Sequence, residues 1–129
     1  MVIQKSHLHK GWATAALVWF AFILFATIAN AQTLSRILLR DIFSYDKPIH
    51  MMLFGVQAIL IIKSIPNASN NNKWVTQSCL LSVVYGVTTE VLQGVITTTR
   101  FFDYFDMLAN TLGCLFVWIW FRNRKQVAS

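Results

Sequence analysis

A chain of 129 residues that is 56% hydrophobic and only 12% charged, with a mean hydropathy of +0.53, has too little polar surface to cover a soluble domain. Its formal net charge of +6 comes from eleven Lys and Arg set against five Asp and Glu. All five acidic residues fall near one side of the apolar array and seven of the eleven basic ones on the other, so the excess reads as membrane topology plus attraction to anionic lipid and calls for no nucleic-acid partner.

From Gly11 to Ser35 no side chain is charged. That is longer than the roughly 20 residues that cross a ~30 Å hydrocarbon core, which predicts a first span at about residues 11–32. Ala29, Asn30 and Ala31 form an A-x-A-like cleavage site after a basic start. The apolar stretch, however, exceeds the roughly 7–15 residues of a signal core, so a span is the better reading. In the segment Ala31 to Asp46, Leu34, Ile37, Leu38 and Ile42 recur at helical spacing beside Arg36 and Arg40. This fits a short amphipathic helix on the outer surface and an ordinary loop equally well.

A second span is predicted at about 48–63, with Pro48 suited to its first turn. Pro66 to Lys73 is a polar, Asn-rich turn. A third span at about 74–97 is interrupted only by Glu90, and a fourth covers about 104–121. The expected fold is therefore all-α: a single domain over residues 1–129, a polytopic membrane protein built as a four-transmembrane-helix bundle. An even number of spans puts both termini on one side. Lys5, Lys10, Lys63, Lys73, Arg122, Arg124 and Lys125 then share a face, and only Arg36, Arg40, Lys47 and Arg100 lie opposite. The positive-inside rule makes the first face, and both termini, cytoplasmic. Trp12, Trp74, Trp118 and Trp120 fall at the inner ends of the spans, while Tyr45 and Tyr104 fall at the outer ends, as interfacial belts require. Cys79 and Cys114 lie at similar depths and read as small packing residues, with neither a Cys-x-x-Cys pair nor zinc-ligand spacing.

The polar residues inside the spans carry the functional signal. Glu90 costs several kcal/mol within a membrane unless it is paired or hydrated. Ser78, Ser82, Gly86, Glu90 and Gly94 recur every four residues, a small-residue stripe that turns Glu90 toward the bundle interior, with Gln93 beside the same face. The last span has a matching stripe in Asp103, Asp106, Asn110, Gly113 and Val117. The Gly86 face is expected to meet the last helix near Gly113. The second span opens Asp46, Lys47, Pro48, Ile49, His50, with Gln57 farther along. At ~1.5 Å per residue Glu90 is about 24 Å from Trp74 and Asn110 about 15 Å from Trp120, so both fall in the outer half of the core. Asp46, Lys47, His50, Glu90, Gln93, Arg100, Asp103, Asp106 and Asn110 are thus expected to line one cavity opening to the outer leaflet. The plainer alternative is a buried polar network that only locks the helices together.

These residues resemble the VanZ-like family of small bacterial membrane proteins. The resemblance is carried by DKPIH at Asp46 to His50, EVLQ at Glu90 to Gln93, Arg100, and D-x-x-x-N-x-x-G at Asp106, Asn110 and Gly113. It implies a multi-pass protein of the bacterial cytoplasmic membrane with a cell-envelope role, the namesake being associated with low-level resistance to the glycopeptide teicoplanin. It supplies no reaction. Two positions depart from the pattern: Thr97 to Thr99 stand where a Pro-Gly turn often precedes the Arg, and Val117 stands where a second small residue often follows Gly113. The latter implies looser packing of the last helix.

Arg100, Lys47 and His50 among carboxylates suit a lipid-linked headgroup, since Arg offers a fork to phosphate and Asn110 and Gln93 bond amides. Membrane lipid and a lipid-linked envelope precursor are the expected partners. For a catalytic role, His50 or Glu90 is the candidate base, with Asp106 orienting it or binding a divalent cation. No nucleophile motif accompanies them, so the residues do not decide between binding and catalysis. A small proton- or ion-coupled transporter, acting as a homo-oligomer, and an assembly subunit of a larger membrane complex are the alternatives.

Overall fold

The structure, a computed structural model, describes residues 2–28, 46–96 and 104–128, and among these the backbone alone for 2–8, 28, 46 and 125–128. The segment expected to form the surface helix or loop and the segment containing Arg100 and Asp103 lie outside the described residues. Among those described there are four α-helices and no strand: α1 (Val2–Ile28), α2 (Asp46–Ser64), α3 (Asn72–Ile96) and α4 (Tyr104–Ala128). The α2–α3 connection contains one 3₁₀ turn, Ala68–Asn70. Asn67 takes φ 60°, a left-handed conformation that Asn tolerates better than most residues. Asn71 then starts α3, its Oδ1 accepting the Lys73 N–H at 3.0 Å as an N-cap.

The pairings fix the direction of each helix. Lys47 meets Asp106, His50 meets Asn110 and Phe54 meets Cys114, at sequence separations of 59, 60 and 60, so α2 and α4 run parallel in constant register. His9 Nδ1 meets Lys63 O at 3.1 Å and the Trp19 indole donates to Leu53 O at 2.9 Å, so α1 runs antiparallel to α2. The Trp118 indole donates to Thr76 Oγ1 at 3.0 Å, setting α3 antiparallel to α4. Helix α2 packs against all three others.

Glycine decides how closely α2 and α4 approach. A Cβ on Gly113 would lie 2.1 Å from Met51 O, and one on Gly55 would lie 3.4 Å from Gly113 O. The backbones touch with nothing between them, as small-residue interfaces in membranes allow. As expected, the Gly86 face of α3 meets α4 near Gly113, at Asn110 one turn away, with Phe54 also against it; Gly113 itself is pressed against α2. A stripe of small residues says which face of a helix is buried but not which neighbour fills it. Val117 does not loosen this seam, because it is buried with its Cγ2 3.7 Å from where a Gly55 Cβ would stand.

Among the described residues, three helices are long and apolar enough to cross a membrane: His9–Thr27, Asn72–Ile96 and Tyr104–Arg124. Their outer faces bear Leu17, Val18, Phe25, Val84, Val95 and Phe116, all well exposed, a surface stable only against lipid. The expected span in α2 falls outside this set. Its place in the bundle explains why: flanked by three helices, α2 presents little surface to lipid and carries Lys47, His50, Gln57 and Lys63 along its length. Lys63 stands 4.5 Å over the Trp12 ring and Arg122 4.5 Å over the Trp118 ring, so the basic residues and the Trp belt share one end, here the Trp74 end. Cys79 and Cys114 are free and buried, and both line a cavity of about 250 Å³ between α3 and α4, as their matched depths implied.

Replacing Gly113 with Ala drives a methyl group into the α2 backbone, and the expected cost is about 1–3 kcal/mol, seen as a lower Tm in detergent. Gly11 has nothing within 4 Å of a new Cβ, so Gly11→Ala should stay within about 0.5 kcal/mol or stabilise the helix.

Candidate functional site

At the end of the bundle opposite the Trp belt, the interior becomes polar. Helix α2 places Lys47 and His50 one turn apart, α4 places Asp106 and Asn110 one turn apart, and the parallel register sets each pair face to face. The Lys47 ammonium pairs with Asp106 Oδ1. His50 Nδ1 lies 3.0 Å from Asn110 Oδ1, so the ring donates its Nδ1–H to the amide oxygen and, when neutral, keeps its lone pair on Nε2. That Nε2 faces Asp106 Oδ2 at 3.7 Å. Glu90 enters from α3 with Oε1 3.9 Å from His50 Nδ1. The imidazole is thus oriented by an amide and bracketed by two carboxylates from two helices.

Exposure is graded through the cluster. The Lys47 side chain is 43% exposed, His50 15%, Asp106 10% and Glu90 2%, so the site has a mouth at Lys47 and a floor at Glu90 and Asn110. Among the described residues one ammonium stands above two carboxyl groups, an arrangement that a proton on His50 or a ligand cation would complement. His50, Glu90 and Asp106 each offer a ligand atom, all within 4.8 Å of one another, a spacing that suits one divalent ion. The Lys47 ammonium holds the same Asp106 carboxylate and would compete with such an ion.

Of the nine residues singled out in the sequence, Lys47, His50, Glu90, Asp106 and Asn110 are brought together. Gln93 is buried on α3 less than a turn beyond Glu90. Asp46 opens α2, but its side chain, like Arg100 and Asp103, lies outside the described residues. Two anchoring residues were missed by the reading of the sequence. Trp19 and Tyr85 tie α1 into the bundle, the Tyr85 hydroxyl donating to Phe20 O at 2.7 Å while its ring stacks on Phe20 at 4.1 Å. Their acceptors are helix carbonyls, which no sequence pattern marks.

The family model described as VanZ/LLP1 matches residues 3–125. The chain belongs to the VanZ/LLP1 family. The match takes in α2, α3 and most of α4, and so every residue of the polar cluster. No curated protein and no solved structure matches the chain. For this VanZ/LLP1 member the site must therefore be read from its own geometry.

Lys47→Met leaves the Asp106 carboxylate without its ammonium, whereas Lys47→Met with Asp106→Leu removes both charges. The double variant is expected to be more stable than the sum of the single changes by about 0.5–1 kcal/mol, low in the range for coupled pairs because Lys47 is half exposed. Thermal unfolding of the two single variants and the double variant in detergent measures that coupling.

Proposed function

We propose that this membrane protein spans the bacterial cytoplasmic membrane four times with both termini in the cytoplasm. Its polar cluster then opens to the outer leaflet and holds the headgroup of an envelope lipid or a lipid-linked cell-wall precursor. The observation that carries this reading is the graded cluster itself: a half-exposed ammonium at the mouth, an oriented imidazole below it, and buried carboxylate and amide groups at the floor. An ammonium at a membrane surface meets phosphate, and the acceptors beneath it suit hydroxyl, amide or amine groups on the same headgroup. A divalent ion at His50, Glu90 and Asp106 would bridge the carboxylates to that phosphate. The oriented His50 gives the site a general acid or base, so processing of the bound headgroup is compatible with the same geometry.

Membership of the VanZ/LLP1 family supports an envelope role, with altered susceptibility to teicoplanin as the readout. A second reading is favoured by the 3.9 Å spacing of His50 and Glu90, which suits a proton relay in a small coupled transporter acting as a homo-oligomer. Proton uptake into liposomes containing the protein, with and without added precursor lipid, separates the two.

Topology is checked by reporter fusions after Ser129 and within 66–73, both of which should report the cytoplasm; either one outside the cell reverses the faces. Function is checked with Glu90→Gln and Asp106→Asn, which keep shape and most hydrogen-bonding capacity while removing charge. Both variants are expected to fold, as judged by size exclusion in detergent, and to abolish the shift in teicoplanin susceptibility that the unaltered protein confers. Folded variants with full effect would reduce the cluster to a structural network.

A further inference from the structure

At the Trp74 end of the bundle the charge is of one sign. Lys10, Lys63, Lys73, Arg122 and Arg124 stand there, whereas the carboxyl groups of Glu90 and Asp106 belong to the cluster at the other end. Helix dipoles do not call for this excess. Helices α2 and α4 finish at this end with their C-termini while α1 and α3 begin here with their N-termini, so partial charges of about half a unit per helix end cancel. Neither the backbone nor, among the described residues, any acidic side chain balances the cations.

Two of them share a cavity. Between α2 and α4 a cavity of about 310 Å³ is rimmed by Lys63 and Arg124 and lined by Ile59, Phe116, Trp120 and Phe121. Ile59 lies one turn inward of Lys63, and Trp120 and Phe116 lie one and two turns inward of Arg124, so the walls pass from cationic to apolar over about 12 Å. Phe116 and Trp120 are well exposed, which opens the cavity sideways to lipid. The Lys63 ammonium is held 4.5 Å over the Trp12 ring, a contact that steadies the charge without neutralising it.

This gradient of polarity selects among ligands. A free anion would satisfy the rim and leave the apolar depth unfilled, and a zwitterionic lipid would bring its own ammonium toward Lys63 and Arg124. An anionic glycerophospholipid matches both halves, because its phosphodiester suits an Arg fork beside a Lys point charge and its acyl chain lies along Ile59 and Phe116. We propose that the cavity is a binding site for one anionic glycerophospholipid of the phosphatidylglycerol type, with the phosphate between Lys63 and Arg124. The lipid bridges the ends of α2 and α4, the two helices whose seam builds the His50 cluster. The site lies at the opposite end from that cluster, so it stands whatever the cluster binds.

Native mass spectrometry of the protein in detergent, titrated with dioleoylphosphatidylglycerol or dioleoylphosphatidylcholine, tests the site. The unaltered protein is expected to take up one phosphatidylglycerol with an apparent affinity on the order of tenfold above that for phosphatidylcholine, as two cations near a membrane surface allow. Lys63→Gln with Arg124→Gln should erase that preference. Lys73→Gln with Arg122→Gln removes the same charge at the same end but outside the cavity, and should keep it. Arg124→Gln alone leaves the Lys63–Trp12 contact in place and should lower the preference severalfold, with size exclusion confirming that each variant is folded. Equal uptake of the two lipids by the unaltered protein would overturn the site. So would an equal loss in both double variants, which would mean diffuse attraction to the whole basic end. Displacement of the bound phosphatidylglycerol by inorganic phosphate would overturn the assignment to a lipid.

Discussion

Everything at the site depends on the contact between the backbones of α2 and α4. Gly113 has no room for a side chain against Met51, and Gly55 lies opposite it, so the two helices run parallel with their axes as close as packing permits. Parallel helices in fixed register repeat their contacts turn by turn. The same seam therefore delivers Lys47 to Asp106, His50 to Asn110 and Phe54 to Cys114. A side chain at Gly113 would push against the Met51 backbone and strain all three pairs together, whereas a methyl group at Gly55 would sit at van der Waals distance from Gly113. Helix α3 then supplies Glu90 to a site whose other walls are already set, with Gly86 making room for Asn110.

Much of this arrangement is legible in the sequence because helical periodicity reports faces. The four-residue spacing from Ser78 to Glu90 turned Glu90 inward, and it is 1% exposed. The stripe through Asp106, Asn110, Gly113 and Val117 is buried throughout. Depth arithmetic along straight helices put Glu90 and Asn110 in the outer half of the core, and there both flank His50. What periodicity does not encode is which helix faces which. Gly86 meets α4 one turn from Gly113 as its stripe implied, but Gly113 itself turns to α2, since in a bundle of four an inward face has more than one possible partner. The stripe also read only as small, and the unmet polar atoms of Ser78 and Ser82 became visible only when their surroundings were in place.

The composition of α2 follows from its position. A helix that faces lipid needs an apolar outer side, and α1, α3 and α4 carry one on helices long enough to cross a membrane. Surrounded on three sides, α2 is released from that demand and carries a lysine, a histidine and a glutamine on the faces it turns toward its neighbours. Two of the polar residues it admits there, Lys47 and His50, build the site.

The balance of costs argues that the cluster is more than a lock. Burying an ion pair is at best neutral beside apolar residues of the same volume, and in many proteins the apolar replacement is more stable. A bundle whose only requirement was cohesion would be served by Leu, Ala and Gly along the α2–α4 seam, which already holds by close backbone contact. Instead the chain places a carboxylate from each of two helices around one imidazole, fixes that ring with an amide, and leaves a column of polar atoms beneath it without protein partners. Each of these features costs stability in a membrane: the charged groups gather at the end of the bundle opposite Trp74, and the polar side chains continue down to Ser78, one turn short of the apolar seal of Ile62, Ala68 and Val75. Charged groups gathered from three helices at one end of the bundle fit a binding site, and cohesion alone gives no reason for them.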